Sequence, residues 1–244
     1  MPTNSLALQL HSLRHEAAND PEGIVRRVPA LGFDSVEIAE TYGWSADHWK
    51  RILAETKLRV VGAHVRLETL ESEWDAQTEF QQAIGCPRLV VPSLPKDLQT
   101  VGGLSEAAKR LTVLGNRAKS EGLALFYHNH AYEFSPLSDG RCGMDILLAE
   151  TDPALLGLEV DTYWVERGGV NSRDFIQRNA ARIGMLHAKE FCRDGRDVPA
   201  GQGDVDWKTI IPLAHSLGWP VIAEYEADNA LAAVEASARY LRGL

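Results

Sequence analysis

Short apolar runs recur along the chain, and longer segments with helical periodicity separate them. The runs predict strands at Leu6–Leu10, Ser35–Ile38, Arg59–His64, Arg88–Val91, Ala124–Asn129, Leu156–Asp161, Gly184–Lys189 and Val221–Tyr225. Successive starts lie about 25 to 37 residues apart, which is the length of one strand, one helix and two connections. Between strands, apolar residues repeat every three or four positions. Leu104, Ala107, Ala108, Leu111 and Leu114 form one such stripe, and Trp207, Ile210, Ile211, Ala214 and Leu217 another. Asp206 stands where it would cap the second of these helices. Gly122 and Gly218 stand where a helix must stop before the next strand, and Gly32 and Gly157 precede the second and sixth strands.

Strict alternation of strand and helix implies a parallel sheet with right-handed crossovers. Eight units favour a closed barrel over an open sheet. An open sheet would usually declare a glycine-rich nucleotide fingerprint after its first strand, yet His11-Ser12-Leu13-Arg14-His15 contains no glycine. No linker or low-complexity block interrupts the alternation, so residues 1–244 are expected to form a single (β/α)₈ TIM barrel domain. The 244 residues are close to the usual size of that fold.

Composition changes the picture only in what it excludes. The hydrophobic fraction is 45% and the charged fraction 24%, as in ordinary globular domains. The formal net charge of −9 argues against a nucleic-acid partner, since affinity for phosphate backbones rests on Lys and Arg. Three cysteines without a CxxC pair suit a reducing, cytoplasmic setting. No apolar run is long enough for a membrane span, and no membrane partner is expected.

The informative residues sit at the strand ends. Runs that begin apolar finish in Glu37, His64, His128, Asp161, His187 and Glu224. In a parallel barrel all strand C-termini share one mouth, so residues distant in sequence converge there. Histidine with two or three carboxylates suits Mn²⁺, Zn²⁺ or Co²⁺. Each residue also has a plainer reading: Asp161 as a helix cap, His187 as a hydrogen-bonded core histidine, Glu133 as a loop carboxylate, and Lys189 and Arg193 as surface charges. Glu224 is the hardest to explain without a partner, because it lies among apolar residues in a central strand.

These residues and their order resemble the sugar phosphate isomerase/epimerase family of the xylose-isomerase-like barrels. The resemblance rests on Leu8 to Arg14, Gly32 to Gly43, Gly62 to Leu70, Tyr127 to Phe134, Gly157 to Val165, Leu186 to Glu190 and Gly201 to Trp207. It implies one divalent metal held by Glu133, Asp161, His187 and Glu224. His128 is the reserve ligand, because it occupies the place where many relatives carry a glutamate. It further implies a small sugar-like substrate, with Glu133 and Glu224 as proton carriers and His64, His128, His130, Trp164, Lys189 and Arg193 as substrate contacts. Trp164 stands where some ketose epimerases carry a histidine, which suggests stacking on a sugar face.

The implied reaction removes a proton next to a metal-polarised carbonyl of a sugar or sugar phosphate. The enediolate that results is reprotonated, giving isomerisation or epimerisation. Elimination from a 3-keto-glycoside is the main alternative. An apurinic-endonuclease-like nuclease and a non-catalytic sugar-binding barrel are lesser ones. The choice among these, the metal, the phosphorylation of the sugar and assembly into a homo-oligomer stay open at this level.

Overall fold

A computed structural model describes residues 5–244 of the protein. Eight parallel strands close on one another in sequence order: β1 (Leu6–Gln9), β2 (Ser35–Ile38), β3 (Arg59–His64), β4 (Arg88–Val91), β5 (Ala124–His128), β6 (Leu156–Asp161), β7 (Ile183–Ala188) and β8 (Val221–Ala223). β8 pairs with β1 to complete the ring, with Leu6 opposite Val221. The eightfold alternation is therefore a TIM barrel. Boundaries moved by one or two residues at several strands. Leu10 opens a 3₁₀ turn, and Glu224 lies one position beyond β8, although its N–H still reaches the Ala188 carbonyl at 3.4 Å.

Parallel strands are buried on both faces, and this barrel has two distinct cores. Residues that face the helices, among them Val36, Leu125, Leu158, Leu186 and the helical stripes, form the large outer core. Ala7, Val61, Val90, Phe126, Met185 and Ile222 form a small separate cluster inside the barrel. They belong to the inward-facing sets of six strands and floor the barrel. The next inward positions toward the mouth are polar: Gln9, Glu37, His64, His128, Glu159 and His187. The apolar floor thus places the functional layer.

Two irregularities aim that layer. The β2–β3 register shifts between Val36 and Glu37, so that Val60 pairs Val36 but Gly62 pairs Glu37. The β6–β7 register shifts in the same way between Leu158 and Glu159. In each case the second strand carries one extra residue, as in a β-bulge. The extra residue brings His64 and His187 to the inner face beside the glutamates of the neighbouring strands.

The helix punctuation follows the sequence. Asp206 accepts the Thr209 N–H at 3.3 Å at the start of helix Trp207–Ser216, and Gly218 at φ 71° ends the connection. Gly157 does not precede the sixth strand as expected. It lies within β6, where a Cβ would come 2.4 Å from Cε1 of Phe126. The floor needs that space for its only aromatic ring. Among the described residues no helix is long and apolar enough to cross a membrane.

Gly157→Ala is expected to destabilise the fold by about 1–3 kcal/mol, the usual effect of overpacking a core. Urea unfolding measures this. Adding Phe126→Leu should return part of the loss, and a neutral Gly157→Ala would show that the ring has room to move.

Candidate active site

The polar layer is a connected set of buried acids and histidines. His187 Nε2 lies 2.6 Å from Glu37 Oε2, and Gln9 Nε2 donates to the same oxygen at 2.8 Å. His64 Nε2 bridges the two glutamates, 3.2 Å from Glu37 and 3.0 Å from Glu159. His128 Nδ1 is 2.9 Å from Glu159 Oε2. Glu37, Glu159 and His187 are fully buried.

Burial in this layer penalises every charge, so the charges that persist do so through their neighbours. Burial pushes Glu37 up, but His64 and His187 overcome it and hold the carboxylate well below its usual range. Burial works against charge on His64, yet Glu37 and Glu159 raise it to about 10. Burial and the Glu37 charge lift Glu159 to about 7. Burial, with His187 and His64 nearby, keeps His128 well below the ordinary histidine value, so its ring is neutral.

Toward the mouth, the side chains leave a set of donor atoms unpaired. Asp161 uses Oδ1 to cap helix Thr162–Arg167 through the Trp164 N–H at 3.1 Å, while its buried Oδ2 has no hydrogen-bond partner. His187 gives its Nε2 side to Glu37, and its buried Nδ1 has no partner either. Nδ1 lies 3.7 Å from Asp161 Oδ2 and 3.4 Å from Glu224 Oε2. His128 Nε2 is 3.9 Å from the same Asp161 oxygen. Donors about 2.1 Å from a four-coordinate ion stand roughly 3.4 Å apart, so Asp161, His187 and Glu224 have spacing and chemistry that fit a divalent cation, with His128 adjacent. The Glu37 hydrogen bond fixes which ring nitrogen of His187 is free for it. Asn129 holds the Asp161 backbone in place: its Oδ1 accepts the Asp161 N–H at 3.0 Å and its Nδ2 donates to the Asp161 carbonyl at 3.3 Å.

A cavity of about 320 Å³ opens above these atoms. His64, His128, His130, Trp164, Lys189 and Glu224 all line it. Lys189 lies 3.4 Å from Glu224, is ion-paired with Glu226, and stands 4.9 Å from the centre of the Trp164 ring.

Two expected site residues are not brought to this group. Glu133 lies outside the clusters of potential ligands, and both its oxygens are occupied. Tyr127 Oη donates to Oε1 at 2.6 Å and the His130 N–H to Oε2 at 2.8 Å. The Tyr127 side chain faces the outer core, so Glu133 serves the strand-five loop from behind the barrel wall. Arg193 is exposed and away from the cavity wall, and its N–H is tied to Asp204 at 2.8 Å. Trp44 packs against Tyr42, His48 and Trp49. Glu37 and Glu159 carry much of the site's electrostatics; Glu37 stood out only as a strand-end acid and was given no role, and Glu159 was given none. Their signal was an acid between two apolar residues in a strand, Val36-Glu37-Ile38 and Leu158-Glu159-Val160, which is also the context of Glu224.

Fold and site together define a TIM barrel with a buried acid–histidine cluster at its C-terminal mouth. The chain belongs to the xylose isomerase-like TIM barrel family, whose model matches residues 25–244. It is 23% identical to an inosose dehydratase from Clostridium beijerinckii, over 88% of this chain and 85% of that protein. Among solved structures, a sugar phosphate isomerase/epimerase from Parabacteroides distasonis superposes with a TM-score of 0.86 at 21% identity, covering 98% of this chain and 94% of that one. A 3-keto-D-glucoside 4-epimerase from E. coli superposes with a TM-score of 0.67 at 17% identity, covering 99% of this chain and 100% of that one. At such identities the structural likeness establishes the shared fold.

Glu133→Gln should separate a structural role from a ligand role. Burial raises the Glu133 carboxyl from 4.5 to about 7, despite the hydrogen bonds from Tyr127 and His130. A raised folded-state pKa means its stabilising contribution is complete below pH 4.5 and is lost as the pH rises through 7. The whole loss is roughly 3 kcal/mol at most. Thermal unfolding of the parent should therefore fall relative to Glu133→Gln across that window, while the bound metal of the variant stays at the parental level. A metal loss matching that of Asp161→Ala would return Glu133 to the ligand set.

Proposed function

We propose that the protein is a divalent-metal-dependent isomerase or epimerase that moves a proton next to a carbonyl of a sugar or sugar phosphate. The observation that carries this reading is the trio of Asp161 Oδ2, His187 Nδ1 and Glu224 Oε2, two of them buried and unpartnered, at the base of a polar cavity. A divalent ion bound there supplies Lewis-acid polarisation of a substrate carbonyl, with Mn²⁺, Zn²⁺ and Co²⁺ all compatible with the donors.

The chain's own residues supply the rest. Glu224 meets both the donor cluster and the cavity, so it is the proton acceptor of choice. Burial alone would neutralise its carboxyl, but Lys189 and His187 hold it well below the usual range, in its proton-accepting form. The Lys189 ammonium stands where it can donate to a substrate oxygen. Trp164 offers an apolar face for the ring. His64, His128 and His130 line the same cavity and are the available second carriers for returning the proton. Loss of a β-substituent instead of reprotonation would make the same site a dehydratase or lyase. The named activity of the inosose dehydratase relative favours keeping that outcome in view.

Charge on His187 also sets a condition on metal binding. Burial opposes its protonation, but Glu159 and Glu37 raise it well above the ordinary histidine value, so protons and the cation compete for the ring.

The test is to purify Asp161→Ala, His187→Ala and Glu224→Gln, measure bound metal, and follow solvent deuterium exchange into a panel of keto-sugars. The two alanine variants should lose metal affinity by roughly 100-fold or more, given that even outer partners are worth 10–100-fold. Glu224→Gln should keep part of the metal and lose exchange. Parental metal content in all three would place the site elsewhere, and parental exchange in Glu224→Gln would move the proton-carrying role to a histidine.

A further inference from the structure

The mouth of the barrel is not a single pocket. A second cavity of about 380 Å³ adjoins the first, and the two share His11, Ala39 and Glu40 as common wall. Their linings differ in chemistry. The first is bordered by the donor cluster, the histidines and Lys189. Apart from the shared residues, the second is walled by Leu10, Ala17, Ala18, Pro21 and Tyr42, with Arg14.

Arg14 in the second lobe is held by two backbone carbonyls. Its Nη1 donates to the His11 carbonyl at 3.1 Å and its Nη2 to the Glu226 carbonyl at 3.0 Å. The guanidinium therefore acts as a brace. It ties the end of β1 to the loop after β8, and Glu226 in that loop is the ion-pair partner of Lys189. The brace fixes the second lobe relative to the first.

Tyr42 supplies the aromatic part of the lobe from a costly backbone. It sits at φ 55°, a left-handed conformation that disfavours side chains with a Cβ, and Gly43 follows at φ 69°. Its ring is backed by Trp44 at 5.1 Å and Trp49 at 6.2 Å. A strained residue held over a cavity by packed aromatics is the kind of outlier from which a binding role can be inferred.

We propose that the site takes a two-ring substrate, a sugar carrying an apolar ring substituent. The sugar ring occupies the lobe above the donor cluster, and the substituent passes between His11 and Glu40 into the lobe walled by Tyr42. This rests on the sugar-site reading above and narrows it: a free monosaccharide would leave the second lobe unused.

The probes are methyl β-D-glucopyranoside and phenyl β-D-glucopyranoside, titrated calorimetrically into the full chain supplied with Mn²⁺. Neither carries a carbonyl, so the titration reads the lobe alone, whatever deuterium exchange says about proton transfer. The phenyl glycoside should bind at least about tenfold more tightly than the methyl glycoside, as expected when a phenyl ring leaves water for an apolar wall. Ala18→Trp, which fills the second lobe, should bring that ratio close to one. Tyr42→Gly, which keeps the backbone conformation and removes the ring, should lower the ratio independently should Ala18→Trp fail to fold. A parental ratio near one, no binding of either glycoside, or a ratio that both folded variants leave at the parental value would overturn the proposal. Exchange into keto-sugars alongside a ratio near one would leave the proton-transfer reading standing and remove only the second lobe from the site.

Discussion

The contact on which the rest of the site depends is the 2.6 Å pair between Glu37 Oε2 and His187 Nε2, with both side chains fully buried. A hydrogen bond to an ionised group is worth more than a neutral one, and a buried acid or imidazole without such a partner would be costly. The pair also makes a geometric choice. With Nε2 committed to Glu37, only Nδ1 of His187 faces Asp161 and Glu224. The donor cluster at the mouth therefore depends on a carboxylate from the other side of the barrel. Gln9 in turn holds Glu37 in place from β1.

That contact requires the fold to be irregular in two places. A β-strand alternates its faces every residue, so a uniform register would not bring His64 and His187 inward beside their glutamates while keeping Val60 and Ile183 in the outer core. The extra residue in β3 and in β7 resolves the conflict. Space is the second requirement. A Cβ on Gly62 would lie 2.7 Å from both Glu37 Oε1 and Met185 Cε, and one on Gly184 would lie 2.5 Å from the Phe126 ring. Glycine at these positions lets the apolar floor and the polar layer meet without a gap.

These irregularities also explain what was and was not legible in the sequence. The barrel could be read because alternation of strand and helix is a long-range pattern that small boundary errors leave intact. Asp161, His187 and Glu224 could be read because each stands at or just past a strand end, where every strand of a parallel barrel delivers its side chains to the same mouth. Glu37 was visible as a strand-end acid, but its role and that of Glu159 were not, because they depend on which face of the strand is inward and on bulges in the strands beside them. Neither is visible in one strand's own residues. Glu133 was expected through the resemblance, but a matching stretch does not say on which side of the wall its loop returns. Its phenolic partner Tyr127 lies on the helix-facing side of β5, whereas its neighbour His128 faces the barrel interior.

Charge balance connects the layers. Four carboxylates, Glu37, Glu159, Asp161 and Glu224, are at most 8% exposed at their side chains. Against them stand Lys189 and a protonated His64, whose charge Glu37 and Glu159 favour over the opposing effect of burial. Two positive charges remain to be supplied if His128 and His187 are neutral, as ligation requires of an imidazole. A divalent ion among Asp161, His187 and Glu224 would close that deficit. Without an ion, a proton on His187 and one on Glu159, which lies near 7, can close it instead. On the proposed metal reading, a divalent cation bound there would take the place of those protons. The low-dielectric setting that sharpens this competition would also strengthen the pull of such an ion on a substrate oxygen in the cavity above.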